Sequence, residues 1–464
     1  MTAPILYPGI VESAAAKRTL ASLLEQAFES TTRPSTGRRV LRVEVPVEGV
    51  DPLTWLYAQG QRSRGYWCGR DRDYELAGVG TADILTAETD CDYDALFERL
   101  HEGISSVHPH LRYYGGMRFS LRHAPSEKWK PFGAYRFVLP RFEVLSRGNH
   151  TYFACNAMLD SEASDLLPKL LEGLDAMPFP GSPGETDTPP ALSRTDVPNA
   201  SVWDTEVGRA LAAMREGKFE KVVLARETRF EFPAPVDPVA LLRRLSATAR
   251  PCYRFCFQPK AGAAFVGVSP ERLYKRQDRF IRSEAVAGTR PCTGDDARDA
   301  ALGDELLRSE KDIREHRLVL DVIRDELAAR CHASHADDSV TVLRTERCQH
   351  LYAQVEGILH HFNTDAELLA GLHPTPAVGG YPKEAALRWI ADAEDFDRGW
   401  YSGPVGWVGC DSAEFAVAIR SALVTDDRVS VYSGAGIIDG SEPRDEWGEL
   451  EHKISQFVSL FESA

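Results

Sequence analysis

The chain has 464 residues, 43% of them apolar and 27% charged, with a mean hydropathy of -0.30, proportions of a soluble globular protein long enough to bury a large core. Its formal net charge of -15 excludes a general attraction for nucleic acid or anionic lipid, whose recognition begins with clustered Lys and Arg; an anionic substrate needs locally placed cations or backbone donors. Nine scattered cysteines form no zinc-like pair of CxxC motifs; Cys252 with Cys256, and Cys348 with His350, are the nearest approaches and read as buried thiols in a reducing cytoplasm.

The N-terminal MTAPILYPGIVES lacks the basic region and long apolar stretch of a secretory signal. Nowhere do the ~18 uninterrupted apolar residues of a membrane span occur, so a cytoplasmic protein is expected. Val11 to Ser30 reads as an amphipathic helix. LRVEVPVE and FVLPRFEVL read as strands, with Tyr114-Gly115-Gly116 as a glycine turn between such runs. A helix over Leu166 to Met177 leads into PFPGSPGETDTPPALSRTDVP, which has the composition of an exposed connection. This stretch separates residues 1–195 from 196–464, read as two halves of one core.

After the connection the pattern sharpens. Ser201 can cap a helix carrying Trp203, Val207, Leu211 and Met214 on one face, and Gly217 can end it. A strand starts at Lys221, and further strands are suggested by CYRFCFQP, AAFVGVSP, RLYKRQDRFIRSEAVAGT, WYSGPVGWVG, EFAVAIRSALV and RVSVYSGAG. Long helices are expected at Asp296 to Arg330 and Glu442 to Phe461. Strands in runs with helices set between them indicate an α+β architecture.

Four features carry chemistry. Lys221 stands against the apolar run Val222-Val223-Leu224; such a lysine either snorkels to water or is buried as a base. In SEKDIREHRLVLDVIRDELA, helical spacing puts Glu315 at the head of a stripe formed by Leu318, Val319 and Val322. In EPRDEWGELEHKISQF, Glu446, Glu449 and Lys453 fall on successive turns beside Leu450, Ile454, Phe457 and Phe461. Glu449 with Lys453 alone fits an i,i+4 surface pair; together the three carboxylates suggest an oxygen site for a hard cation, Mg²⁺ above all. Between these helices SGAGI, Ser433 to Ile437, fits either a tight turn or an anion-binding nest in which Gly434 and Gly436 expose backbone N–H groups.

These segments resemble the chorismate-utilising enzymes, and within them the isochorismate synthases. FEKVVLARE, FVGVSPERL, SEAVAGTR, SEKDIREHRLV, LHPTPAVGGYP, RGWYSGPVGW, AIRSAL, VYSGAGI and EWGELEHKI occur in the family's order from Val202 to the C-terminus; YWCGRDRDYELAGVG and YYGGMRF are the best matches in the variable N-terminal half. The resemblance implies one large domain with two β-sheets and helices packed outside them. It implies a Mg²⁺-dependent site for chorismate, a small dianion, where water adds at C2 while the C4 hydroxyl leaves. Lys221 would be the base and Glu271, in SPERL, the acid. A lysine near its reference pKa of about 10.4 and a glutamate near about 4.3 both hold the wrong proton at neutral pH, so each needs a displaced value.

The same resemblance makes Glu315 and Glu449 direct Mg²⁺ ligands, with Glu446 acting through water. Gly288 and Thr289 would hold the ring carboxylate. Tyr401, Arg420 and Gly436 would hold the enolpyruvyl carboxylate, with Gly434 also binding substrate and Lys453 as a further cation. His373 in HPTP matches a position near the ring hydroxyl and equally fits a core histidine. Anthranilate synthases carry glutamine at Lys221, and aminodeoxychorismate synthases a lysine where AVAGT has Ala287. Salicylate synthases, which go on to eliminate pyruvate, are the nearest rival, followed by a siderophore-pathway isochorismate synthase and a non-catalytic binding subunit. RGWYSGPVGW and the long N-terminal half favour the menaquinone pathway. A monomer or weak homodimer is expected.

Overall fold

The computed structural model describes residues 5–6, 9–31, 38–60, 63–104, 107–122, 124–160, 165–181, 188–247, 251–345, 347–361 and 364–462. Among the described residues, twenty-one strands join in one hydrogen-bonded network, which resolves into two sheets sharing a pair of long strands, Tyr74–Ala87 and Tyr135–Arg147. One sheet extends from this pair through His150–Leu159 to Arg39–Val47. On its other side it continues through Arg64–Cys68, Tyr253–Lys260, Ala263–Ser269, Ser421–Thr425 and Arg428–Ile437 to Lys221–Glu231 and Ser193–Val197. The second sheet runs through Tyr113–Met117, Pro404–Val408, Ser412–Val417, Arg272–Gln277 and Phe280–Pro291 to Cys348–Leu359.

The chain passes from the first sheet to the second between Ser269 and Arg272, and returns between Val417 and Ser421. Glu271 lies in one crossing and Arg420 in the other. Val417 N–H donates to the Glu271 carbonyl at 3.1 Å, so the two crossings are tied together.

Where the sheets meet, Trp67, Tyr253, Phe265, Trp400 and Trp407 form an aromatic core, the residue class that contributes most area per side chain. The helices lie outside. Ala16, Leu20 and Leu24 of helix Ser13–Ser30 share a cluster with Val43 and Val45. Val319, Ile323 and Leu327 of helix Glu310–Ala328 share one with Ile281, Ala285 and Val355. Full burial of side chains of this size contributes about 1.5–3 kcal/mol each.

Several sequence expectations change. The helix expected over 296–330 is two helices, Asp296–Arg308 and Glu310–Ala328, because Ser309 stops the first and caps the second, accepting from Asp312 N–H at 3.3 Å. The helix Ala200–Arg215 is capped by Asn199, not Ser201, at 3.1 Å from Val202 N–H. Ser433 to Ile437 is neither turn nor nest: it continues the strand Arg428–Ile437, paired along its length with Lys221–Glu231. Tyr114-Gly115-Gly116 likewise lies within a strand. The connection before Ser193 is in part outside the described residues, 182–187 among them.

Glycine at 115 is explained by approach rather than by turning: a Cβ there would lie 1.8 Å from the Arg136 carbonyl oxygen. Gly115→Ala should therefore cost roughly 3 kcal/mol of stability. In contrast, a Cβ at Gly448, inside helix Pro443–Phe461, meets nothing within 4 Å, so Gly448→Ala should gain about 0.5–1 kcal/mol. Urea midpoints of the two variants check this pair; equal midpoints would contradict it.

Candidate active site

Lys221 opens a strand whose position is fixed close by. Arg398 donates to the Val223 carbonyl at 2.7 Å, and Glu394 accepts from Ala225 N–H at 2.9 Å. These two side chains are themselves paired at 2.5 Å. Opposite Lys221, Tyr381 closes the edge of the sheet. Lys221 is fully buried, and its Nζ lies 2.8 Å from Oε1 of Glu315. The lysine is thus not a snorkelling surface residue.

Glu271 is also buried, and its backbone is held on both sides: its N–H donates to Ser269 Oγ at 3.2 Å and its carbonyl accepts from Val417. Burial pushes its carboxyl up to about 8; Glu284 adds to the rise, while the Lys221 and Lys453 ammonium groups oppose it. A carboxyl in this condition keeps its proton at neutral pH and can donate it. Lys221 and Glu271 therefore share one electrostatic environment.

Glu271, Gly288, Thr289, Glu315, Tyr401, Arg420, Gly434, Gly436, Glu449 and Lys453 wall one cavity. It encloses about 650 Å³ of atom-free space, its open mouth included. Lys453 Nζ lies 2.5 Å from Glu449 Oε1 and donates to the Gly434 carbonyl at 2.8 Å. Despite its burial, Glu449 is held below the usual carboxylate range by Lys453. Arg420, at a positive φ of 51°, donates to the Lys453 carbonyl at 2.9 Å. Tyr401 stacks on Tyr432 with ring centroids 5.2 Å apart. Lys453 and Arg420 thus meet glycine backbone in the cavity wall, local donors of the kind an anion requires in a chain of net charge -15.

Helix Glu310–Ala328 buries His316, Val319, Ile323 and Leu327, a stripe turned from the one read in the sequence, so Glu315 lies on its flank and reaches the cavity instead of the core. Among the described residues no group of three or more His, Cys, Asp or Glu side chains converges to hold an ion unaided. Glu315 and Glu449 nevertheless face the same cavity from two helices, and Lys311 lies in the field of Glu446, Glu315 and Glu449 together. Two carboxylates beside open space fit Mg²⁺, which takes one or two protein carboxylates and completes its shell with water and substrate oxygens.

Three expected residues do not wall the cavity. Lys221 adjoins it at Gly436, where an added Cβ would lie 3.0 Å from Lys221 Cε. Glu446 is buried in its helix stripe and paired with Lys311 at 2.8 Å; burial and the Glu449 charge raise its pKa. His373 is buried elsewhere, with Nε2 3.1 Å from the Phe119 carbonyl and the imidazole lowered to about 3 by burial, which fits the core-histidine reading. His350, for which the sequence suggests no role in the site, does face the cavity. Its Nδ1 lies 2.9 Å from the Gly288 carbonyl, and burial lowers it to about 3, so it is neutral. The pairing register shifts between Ala287 and Arg290, and Gly288 has φ of 67°. A glycine inside a strand pattern marks such a bulge, and the carbonyl it frees calls for a donor on the next strand.

At Gly436 a Cβ would come within 2.5 Å of Glu315 Oε1 and 3.0 Å of Lys221 Cε. Gly436→Ala should lower turnover by at least ~10-fold while keeping a cooperative melt, since only two side-chain ends must move. Turnover equal to the unsubstituted protein would remove this contact from the account.

Residues 23–462 match the family described as chorismate binding enzyme. The chain is 31% identical to the chloroplastic isochorismate synthase of Catharanthus roseus, over 98% of this chain and 86% of that one. It is 30% identical to isochorismate synthase MenF of Haemophilus influenzae, over 96% and 98% respectively. In three dimensions it superposes on MenF, the menaquinone-specific isochorismate synthase of Escherichia coli, with a TM-score of 0.85, 29% identity and coverage of 97% and 99%. The chain belongs to the chorismate-binding enzymes.

Proposed function

We propose that this protein is an isochorismate synthase of the menaquinone pathway, converting chorismate to isochorismate by adding water at C2 and expelling the C4 hydroxyl. The observation that carries the reading is Glu271, a buried cavity carboxyl held up to about 8 beside a fully buried lysine. The matches to MenF-type enzymes along nearly the whole of both chains support the pathway.

In this reading Lys221 takes a proton from water as its oxygen bonds to C2, and Glu271 gives a proton to the C4 oxygen as that bond breaks and water departs. One water enters and one leaves, so there is no net redox change. Lys453 and Arg420 attract the enolpyruvyl carboxylate, Arg420 with a fork suited to bidentate contact, while Tyr401, Gly434 and Gly436 shape the space around it. Gly288 and Thr289 meet the ring carboxylate. Glu315 and Glu449 would hold Mg²⁺, with Glu446 reached through water. The bound ion would neutralise and orient that carboxylate. Glu315 would then be shared between the ion and Lys221. The protein would act in the cytoplasm as a monomer or weak homodimer; no described helix is long and apolar enough to cross a membrane.

Incubation with chorismate and Mg²⁺, followed by chromatography, should yield isochorismate. Salicylate with stoichiometric pyruvate would identify a salicylate synthase instead, and binding without turnover a non-catalytic subunit. Lys221→Gln should lower turnover by about 10²–10⁴-fold, the usual contribution of a general base; unchanged turnover would exclude Lys221.

Because Glu271 must be protonated, kcat should fall as pH rises through about 8. Stability follows the same group. Its ordinary value is 4.5 and its folded value about 8, so the folded state binds more protons between these limits. The stability contributed is complete below 4.5 and is lost as pH rises to about 8. Glu271→Gln should therefore be inactive yet increasingly more stable than the unsubstituted protein from pH 4.5 to 8, with a constant difference above. Thermal melts across this range check it, and a difference independent of pH would contradict it.

A further inference from the structure

Arg70 reaches the site from the N-terminal half, in the turn between strands Arg64–Cys68 and Tyr74–Ala87. Its side chain is 10% exposed and its contacts are fully specified. One nitrogen, Nη1, donates to the Pro270 carbonyl at 2.9 Å and to Glu284 Oε2 at 2.7 Å. The other, Nη2, donates to Glu284 Oε1 at 2.5 Å. Pro270 immediately precedes Glu271, in the crossing between the sheets. Glu284, buried in the neighbouring strand Phe280–Pro291, also receives Arg272 Nη1 at 2.6 Å.

We propose that Arg70 is a positioning residue for Glu271: its guanidinium clamps the Pro270 carbonyl and the Glu284 carboxylate together, fixing both the place of the acid and the charge that faces it. The proposal rests on the reading of Glu271 as the general acid.

Two physical consequences separate this role from simple support of the fold. The crossing at 270–271 has no helix or continuous ladder of its own, so the Pro270 carbonyl is one of few handles by which its path is held. Losing that hydrogen bond displaces the reacting carboxyl more than it weakens the core, and small displacements of a reacting group are expensive in rate. The second consequence is electrostatic. The charged groups facing Glu271 are Lys221, Glu284 and Lys453. Arg70 and Arg272 partly neutralise Glu284, so removing either partner of the Arg70–Glu284 pair changes the field at Glu271, with opposite signs. Without Arg70 the Glu284 anion is less compensated, and Glu271 holds its proton more tightly. Without the Glu284 charge the anionic contribution to the field at Glu271 is gone while Lys221 and Lys453 remain, and it holds its proton less tightly.

Steady-state kinetics across pH on Arg70→Gln, Arg70→Lys, Glu284→Gln and Glu271→Gln test this. Arg70→Gln should lose about tenfold or more in kcat, with KM changed by less than ~3-fold, and should move the alkaline limb of the kcat profile upward. Glu284→Gln should move the same limb downward. Arg70→Lys retains the charge but not the fork, so the limb should stay in place while kcat falls by a smaller factor. If Arg70→Gln does not melt cooperatively, Glu284→Gln and Arg70→Lys decide the matter. A limb that is unmoved or raised in Glu284→Gln, or an effect of the arginine variants on KM alone, overturns the proposal. An active Glu271→Gln would overturn the underlying reading instead. Inactive Glu271→Gln together with wild-type kinetics in Arg70→Gln would overturn the positioning role alone.

Discussion

Burial of a carboxyl next to a buried amine is the constraint on which the rest of the site depends. Glu271 is desolvated at the point where the chain leaves one sheet for the other, within the field of the buried Lys221. Desolvation outweighs the neighbouring ammonium groups and leaves the carboxyl protonated at neutral pH. Lys221 is paired instead with Glu315, so the two residues do not neutralise one another through a direct ion pair. Acid and base chemistry on opposite sides of a ring requires this separation of roles between two buried groups.

The fold supplies that geometry through its two sheet crossings. Glu271 and Arg420 are on separate crossings held by a hydrogen bond from Val417, while Glu315 and Glu449 come from helices that pack on different sheets. Lys221 lies on a strand whose backbone is gripped by the Glu394–Arg398 pair. The chain is strongly acidic overall, yet Lys453, Arg420 and glycine backbone all wall one cavity. Local placement, not net charge, makes the site hospitable to a dianion.

Much of this was legible in the sequence, for reasons that differ from residue to residue. The strand at Lys221 announced itself through a β-branched run, and the last helix through the period of Leu450, Ile454, Phe457 and Phe461. Glu315 was found because a carboxylate stood among apolar residues, although the buried stripe proved to be turned away from it. Glu271 and Arg420 followed from resemblance alone, since periodicity cannot report where a chain changes sheets. Gly434 and Gly436 fit either a tight turn or an anion-binding nest in the sequence, because glycine pairs serve both; in the structure they make room in a strand for Tyr401, Lys221 and Glu315. His350 was hidden by the bulge at Gly288, and Arg70 by its distance in sequence from the residue it contacts. His373 had two readings, and its hydrogen bond to Phe119 agrees with the core one.

The central claim is that an external water is activated on one side of the substrate while the original hydroxyl is released on the other. Turnover in ¹⁸O-labelled water tests it most directly, with the product analysed by mass spectrometry and the label located on the ring. The account predicts one solvent oxygen per molecule of isochorismate, carried at C2, from the first turnover. Product that retains the unlabelled oxygen of the original C4 hydroxyl would contradict it.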